Sequence, residues 1–249
     1  MTTEYIFIAF GLFFMVALLY SSVGHAGASG YLALMALLSF PVDNIKSTSL
    51  FLNILVASIG TYRFLKAGYF DKKVFLTFAV TSIPIAFVGG AMRIDPKLFK
   101  MLAGMFLILS AVLLIGKNYF VKPKTEEPKR IPLLQGLGLG AAIGFLSGLV
   151  GVGGGIFLSP ILILMNWTTV KKASGVAALF ILCNSVTALI GHHSKLQEVD
   201  SNIAYWALAV ILGGLIGTHL GTSRFSNKVV LGILALVLLT AGYKFVFVG

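Results

Sequence analysis

Two stretches of this chain, residues 5–42 and 131–170, carry no acidic or basic side chain beyond one histidine, and each is interrupted midway by a cluster of glycines. The clusters read SSVGHAGASG at 21–30 and SGLVGVGGGIFLSP at 147–160. A bilayer core of about 30 Å is crossed by about 20 apolar residues. Each stretch is therefore too long for one crossing and predicts two helical pieces joined by irregular backbone at or near membrane depth. Such backbone is tolerated only where it is buried in protein or lines a polar cavity. The two glycine breaks are thus the first candidates for a site.

Composition fixes the class. With 58% hydrophobic and 11% charged residues among 249, the chain predicts a polytopic, all-α integral membrane protein of the cell membrane, in a prokaryote the inner or plasma membrane. The start, Met1-Thr2-Thr3-Glu4, lacks the positive region of a secretory signal, and the first apolar run is expected to be mature structure. A single cysteine, Cys183, excludes an intramolecular disulfide framework or a multi-cysteine metal site. The excess of 19 Lys and Arg over 8 acids reads as the topology signal of basic loops, not as a nucleic-acid surface.

Taking charges as loop markers leaves ten apolar segments, near 5–21, 26–40, 47–65, 74–92, 97–116, 133–150, 155–167, 173–193, 203–222 and 227–246. The second and seventh are short enough to be half helices or strongly tilted ones. Between the fifth and sixth lies KNYFVKPKTEEPKRIP, with three prolines and seven charges. It divides the chain into a first transmembrane repeat, 1–116, a cytoplasmic linker, 117–132, and a second repeat, 133–249. The halves align at a spacing of 129: Gly24 falls on Gly153, Ala26 on Gly155, Asp71 on Asp200. Repeats of this kind are a recurrent plan of secondary transporters. Loop charges suggest that the second unit is inverted. Arg63, Lys66, Lys72 and Lys73 oppose one Asp71 in the first half, whereas the counterpart has Lys195 against Glu198 and Asp200.

The glycines carry a chemical expectation. Gly151, Gly153, Gly154 and Gly155 lead directly into an apolar helix, whose unpaired first-turn N–H groups and dipole favour an anion. The first break offers Ser22, Gly24 and His25, adding a hydroxyl and a titratable ring. The alternative role of such clusters is close helix packing through small residues. Two clusters in equivalent places favour a site. Thr48 and Ser49 could donate hydroxyls to an anion. Asn53 and Asn184 are either interhelical hydrogen-bonding groups or substrate contacts.

All eight acids fall in loops or at helix ends, so no carboxylate is left for the membrane interior. This disfavours a metal or organic cation as substrate. Sodium coupling through backbone carbonyls stays compatible, as does proton coupling through His25. No HExxH motif, intramembrane aspartate pair or nucleophile turn is present, and an enzyme is not expected.

The paired patterns SSVGHAGASGYLALMALL with KSTSLFLNILVASIGTYRFLKAGYFD, and SGLVGVGGGIFLSPILIL with VAALFILCNSVTALIGHHSKLQEVD, resemble the sulfite exporter TauE/SafE family over nearly the whole chain. The resemblance implies secondary transport of sulfite, sulfonates or related small anions, often as export. The sequence departs from the family pattern at His25 and Ala26, which thin the first glycine run, at Tyr31 where the second half has Pro160, and at Ala177-Ala178 where a polar pair is expected. The expected partners are a small anionic substrate, protons or sodium as coupling ion, and the lipid bilayer, with a homodimer left open and no cofactor or metal. A passive anion channel and a non-transporting membrane scaffold are the alternative functions.

Overall fold

The computed structural model describes residues 3–22, 24–120, 128–192, 200–221 and 227–248. Ten α-helices account for most of these: α1 (Thr3–Ser22), α2 (Ala28–Leu37), α3 (Val42–Lys66), α4 (Lys72–Ala91), α5 (Pro96–Phe120), α6 (Leu133–Val150), α7 (Gly155–Leu164), α8 (Val170–Gly191), α9 (Ile203–Gly221) and α10 (Asn227–Tyr243), the last running into a π-helical turn, Lys244–Val248. Seven helices among the described residues are long and apolar enough to cross a membrane, within α1, α3, α4, α5, α6, α8 and α9. The helices follow the ten apolar segments with one informative difference. The chain enters α3 at Val42, five residues before the expected start, because Lys46 is buried inside the helix instead of marking a loop. Residues 121–127 of the central linker, and Lys195 and Glu198 among the loop charges, lie outside the described residues.

The short helices α2 and α7, ten residues each, are built alike. Each starts from a left-handed glycine, Gly27 at φ 105° and Gly154 at φ 79°. Each ends with a left-handed residue, Ser39 at φ 58° and Asn166 at φ 54°. The following amides reach back to the helix, Phe40 N–H to Met35 C=O at 3.0 Å and Trp167 N–H to Leu162 C=O at 2.9 Å, closing carbonyls that a helix end otherwise leaves open. These matches sit 127 residues apart, and so do Gly24 and Gly151, both left-handed and both just after a full-length helix. The register of 129 expected from the sequence is thus corrected at the breaks: Gly24 corresponds to Gly151, and Ala26 to Gly153. Glycines are so frequent near 151–155 that two registers give comparable letter matches, and only backbone conformation separates them.

Packing repeats between the halves. Helix α1 lies along α9 as α6 lies along α4; α3 meets α9 as α8 meets α4; α2 meets α10 as α7 meets α5; and α3 pairs with α8, α5 with α10. The last two pairs run antiparallel. Phe64, near the end of α3, packs over Gly175 near the start of α8. Lys46 and His192, at the opposite ends of those helices, both contact the Gly90 carbonyl. Gly104 near the start of α5 meets Gly242 near the end of α10.

The α4–α6 contact has the close backbone approach expected when lipid supplies no hydrophobic drive between helices. Gly140, Gly144 and Gly148, one turn apart, face the main chain of α4 at Phe78, Ser82 and Ala86. A side chain at Gly144 would run into the Ser82 carbonyl. Gly144→Leu is therefore expected to forbid the packing and remove most of the monodisperse protein in detergent, as measured by size-exclusion chromatography; normal yield would show that α4 and α6 can separate at little cost.

Candidate functional site

The two glycine breaks meet. In the first, the chain leaves α1 with Gly24 N–H on the Ser21 carbonyl and His25 N–H on the Tyr20 carbonyl. Tyr31 donates to the Ala26 carbonyl at 2.8 Å, and the hydroxyls of Tyr20 and Ser29 share a hydrogen bond of 2.9 Å. In the second, both Gly151 N–H and Val152 N–H return to the Ser147 carbonyl. Gly151, Gly153 and Gly154 all have positive φ, a conformation that strains any residue with a Cβ.

A single face of α3 joins the breaks. Ser49 Oγ lies 3.2 Å from the Ala28 carbonyl at the first and 3.1 Å from the Gly151 carbonyl at the second. One turn on, Asn53 Oδ1 accepts the Ala28 N–H at 3.2 Å, and its Nδ2 donates to Ser185 Oγ of α8 at 2.8 Å. Asn53 is near the midpoint of a 25-residue helix, which at 1.5 Å per residue is about 37 Å long. The junction therefore sits near the middle of the bundle's thickness. One turn before Ser49, the Lys46 side chain passes over Gly151, and its ammonium donates to the carbonyls of Gly90 at 3.1 Å and Gly89 at 3.4 Å. Those carbonyls belong to the last turn of α4, where the helix dipole favours a cation. Lys46, Ser49 and Asn53 are spaced i, i+3, i+7, so they share one face. All three are buried, Lys46 with 5% of its surface exposed and the other two with none.

Two small cavities flank the junction. One is lined by Tyr20, His25, Ser29, Asn53, Val152 and Ile181, and therefore draws on both breaks. The other is lined by Ser21, Gly24, His25, Gly60, Phe64 and Thr218. Each encloses about 10 Å³, room for about one water. His25 walls both. Ser21 Oγ, buried in the wall of the second, has no hydrogen-bond partner.

Of the residues expected from the sequence, the structure brings Gly24, His25, Ser49, Asn53, Gly151 and Gly153 to this junction. The others are directed elsewhere. Ser22 returns its hydroxyl to the Leu19 carbonyl of its own helix at 2.7 Å. Thr48 faces α9, accepting the Asp200 N–H at 3.1 Å. Asn184 lies on the α4 side of α8, where its Oδ1 accepts from Ser82 at 3.0 Å and its Nδ2 has no partner. Gly154 packs against Ile143, Phe180 and Ser147 within the second half, and Gly155 against Ile181. One face of a helix separates Ser49 from Thr48, so adjacency in sequence does not carry them to the same place.

The sequence profile of the sulfite exporter TauE/SafE family matches residues 9–245 of the chain. The chain belongs to the sulfite exporter TauE/SafE family. It is a multi-pass membrane transporter, and both breaks with the whole α3 stripe fall inside the family match. It is 37% identical over 248 residues to "Probable membrane transporter protein y4hK" of Sinorhizobium fredii, covering 98% of this chain and 99% of that one. It is 30% identical over 177 residues to "Probable membrane transporter protein MJ0441" of Methanocaldococcus jannaschii, covering 68% and 65% respectively. It is 24% identical over 224 residues to "Probable membrane transporter protein YunE" of Bacillus subtilis, covering 81% and 80%. No solved structure matches.

Within this family member, the residue that sequence reasoning missed is Lys46. Taking charges as loop markers leaves Lys46 just outside the third apolar segment, 47–65, whereas the structure buries it inside α3. The signal that finds it is its spacing to Ser49 and Asn53, a helical stripe of three polar side chains on a segment otherwise apolar on that face. Its structural counterpart in the other half is Ser174, which lies against Gly24 as Lys46 lies against Gly151. The two breaks thus differ by one charge at this contact.

Proposed function

We propose that this chain is a secondary transporter, acting as an exporter, of a small anion such as sulfite or a sulfonate, bound where the two breaks meet. The reading rests on one observation above all: a single hydroxyl, Ser49 Oγ, lies within hydrogen-bond reach of a backbone carbonyl of each break, 3.2 Å from Ala28 and 3.1 Å from Gly151. Any ligand held there contacts both halves of the molecule at once, which is the placement alternating access requires. Oxyanion selectivity follows from the first-turn N–H groups of α2 beyond Ala28 and of α7, joined on opening by the Asn53 amide and the Ser49 hydroxyl, which in the junction as described are bonded to Ser185, Ala28 and the break carbonyls. The one buried carboxylate among the described side chains, Asp200, is committed to the indole of Trp206 at 2.9 Å and to Asn202 N–H at 2.8 Å.

In this reading residues 1–116 and 133–249 are inverted repeats, a relation supported by the antiparallel pairing of α3 with α8 and α5 with α10. The linker at 117–132 and its basic residues lie in the cytoplasm. The two cavities described at the junction are of one-water size, too small for an oxyanion. Transport then requires the ends of α2 and α7 to part, alternately toward each side. His25, shared by both cavities, is the group placed to carry a coupling proton. A His25→Gln variant is expected to keep anion binding but to lose acceleration by a pH gradient; gradient-driven flux equal to that of the unaltered protein would remove the proton from this residue.

The experiment is uptake by purified protein in liposomes of sulfite, sulfate, thiosulfate, sulfoacetate and taurine, each with and without a pH gradient. Saturable flux that accumulates at least one sulfur anion against its gradient is expected. Flux that neither saturates nor accumulates would identify a passive channel, and silence with every anion a scaffold without transport activity.

A further inference from the structure

Lys46 goes beyond the role of a helix-end cap, and we infer that it is the charge that selects and draws in the anion at the second break, an inference that rests on the anion reading above. Three observations carry it. Lys46 is the one lysine or arginine buried among the described side chains; a cation inside a membrane bundle is expensive and is retained where it acts on a substrate or ion path. It occupies the outer position of the stripe Lys46, Ser49, Asn53, so that a solute moving along this face of α3 passes the ammonium before the hydroxyl and the carboxamide at the junction. Its stem lies against Gly151, with a Cβ built there falling 3.0 Å from Lys46 Cγ. The absence of a Cβ therefore lets the lysine stem lie directly against the second break, and its flexible four-carbon chain is the means by which the ammonium exchanges the α4 carbonyls for an anion there.

The second half makes the contrast. At the structurally equivalent place Ser174 returns its hydroxyl to the Val170 carbonyl at 3.2 Å and brings no charge to Gly24. An anion is therefore held asymmetrically, its charge nearer the second break and its remaining acceptors toward Asn53 and the first. His192, whose Nδ1 lies 3.2 Å from the same Gly90 carbonyl, keeps that carbonyl hydrogen-bonded when the ammonium leaves it. The exchange leaves only the weaker of the two acceptors, the Gly89 carbonyl at 3.4 Å, to be offset by the bond to the anion.

The test is the concentration dependence of sulfite uptake in proteoliposomes of the unaltered protein and of Lys46→Gln, Lys46→Arg and Lys66→Gln, the last removing one charge from the exposed end of the same helix. Removing a charge-assisted hydrogen bond to a substrate costs about 10- to 100-fold in affinity. Lys46→Gln is expected to raise KM by that factor with a smaller change in kcat, while Lys46→Arg stays within about threefold and Lys66→Gln is unchanged. Should Lys46→Gln fail to fold, Lys46→His decides: its KM relative to the unaltered protein at the same pH is expected to climb between pH 6 and pH 8 as the imidazole loses its proton. An unchanged KM in Lys46→Gln, or a pH-independent ratio in Lys46→His, overturns the inference. Absence of sulfite flux in the unaltered protein is a separate outcome, one that overturns the sulfite reading itself.

Discussion

An Asn53→Leu variant is expected to lose sulfite flux by about 10- to 100-fold while remaining a monodisperse membrane protein. The size follows from what the carboxamide does. Its oxygen accepts the first N–H of α2 and its nitrogen donates to Ser185 on α8, so one side chain fixes the first break relative to both long central helices. Leucine has nearly the same shape but leaves the Ala28 amide and the Ser185 hydroxyl unpaired, at about 1–3 kcal/mol for each buried group. Part of that cost falls on stability, and part on the arrangement of donors that the substrate needs. Measuring flux beside thermal unfolding separates the two. Full flux with a lowered unfolding temperature would make Asn53 a packing residue alone, and the site would have to lie elsewhere.

The second large effect is expected from Gly153→Val. Gly153 has φ 74°, where a β-branched residue is strongly disfavoured. A Cβ there would also sit 2.5 Å from Asn53 Nδ2 and 2.7 Å from Ser185 Oγ, driving a wedge into the hydrogen bond that ties α3 to α8. Backbone strain of about 1–3 kcal/mol adds to the loss of that bond, and transport is expected to be undetectable. Gly153→Ala carries the same wedge atom with less bulk and is expected to retain a measurable fraction. The comparison is made by uptake assay on protein normalised for yield, and undiminished flux in Gly153→Val would show that the second break has no functional demand for an open backbone. Gly154→Val is the less informative change, because that Cβ meets Ile143, Phe180 and Ser147 and disturbs packing within one half.

The reach of the sequence differs from residue to residue, and the reasons are physical. Helix positions were legible because membrane helices must be long and apolar, and the short α2 and α7 because glycine and small residues break a charge-free run. Lys46 was not legible under the same rule. A charge near the end of an apolar run is usually in water, and only the packing that brings the Gly89 and Gly90 carbonyls and Gly151 around the Lys46 side chain makes this one an interior group. Thr48 and Ser49 are adjacent letters with opposite fates, since successive residues on a helix point about 100° apart. Asn184 is as polar and as buried as Asn53, yet it turns toward Ser82 on α4; the direction a helix face takes depends on its neighbours, which the one-dimensional pattern does not contain.

By itself the sequence determined the class of molecule, the ten helical segments, the two interrupted runs and the scarcity of interior carboxylates, all of which are consequences of local hydropathy and backbone freedom. Only the tertiary structure decided that the interruptions meet, that the register between halves is 127 at the breaks, and that a lysine lies beside them. Those facts depend on contacts such as Ser49 with Gly151, separated by 102 residues, and a hydrogen bond of that span is set by how helices pack, not by the residues next to it in the chain.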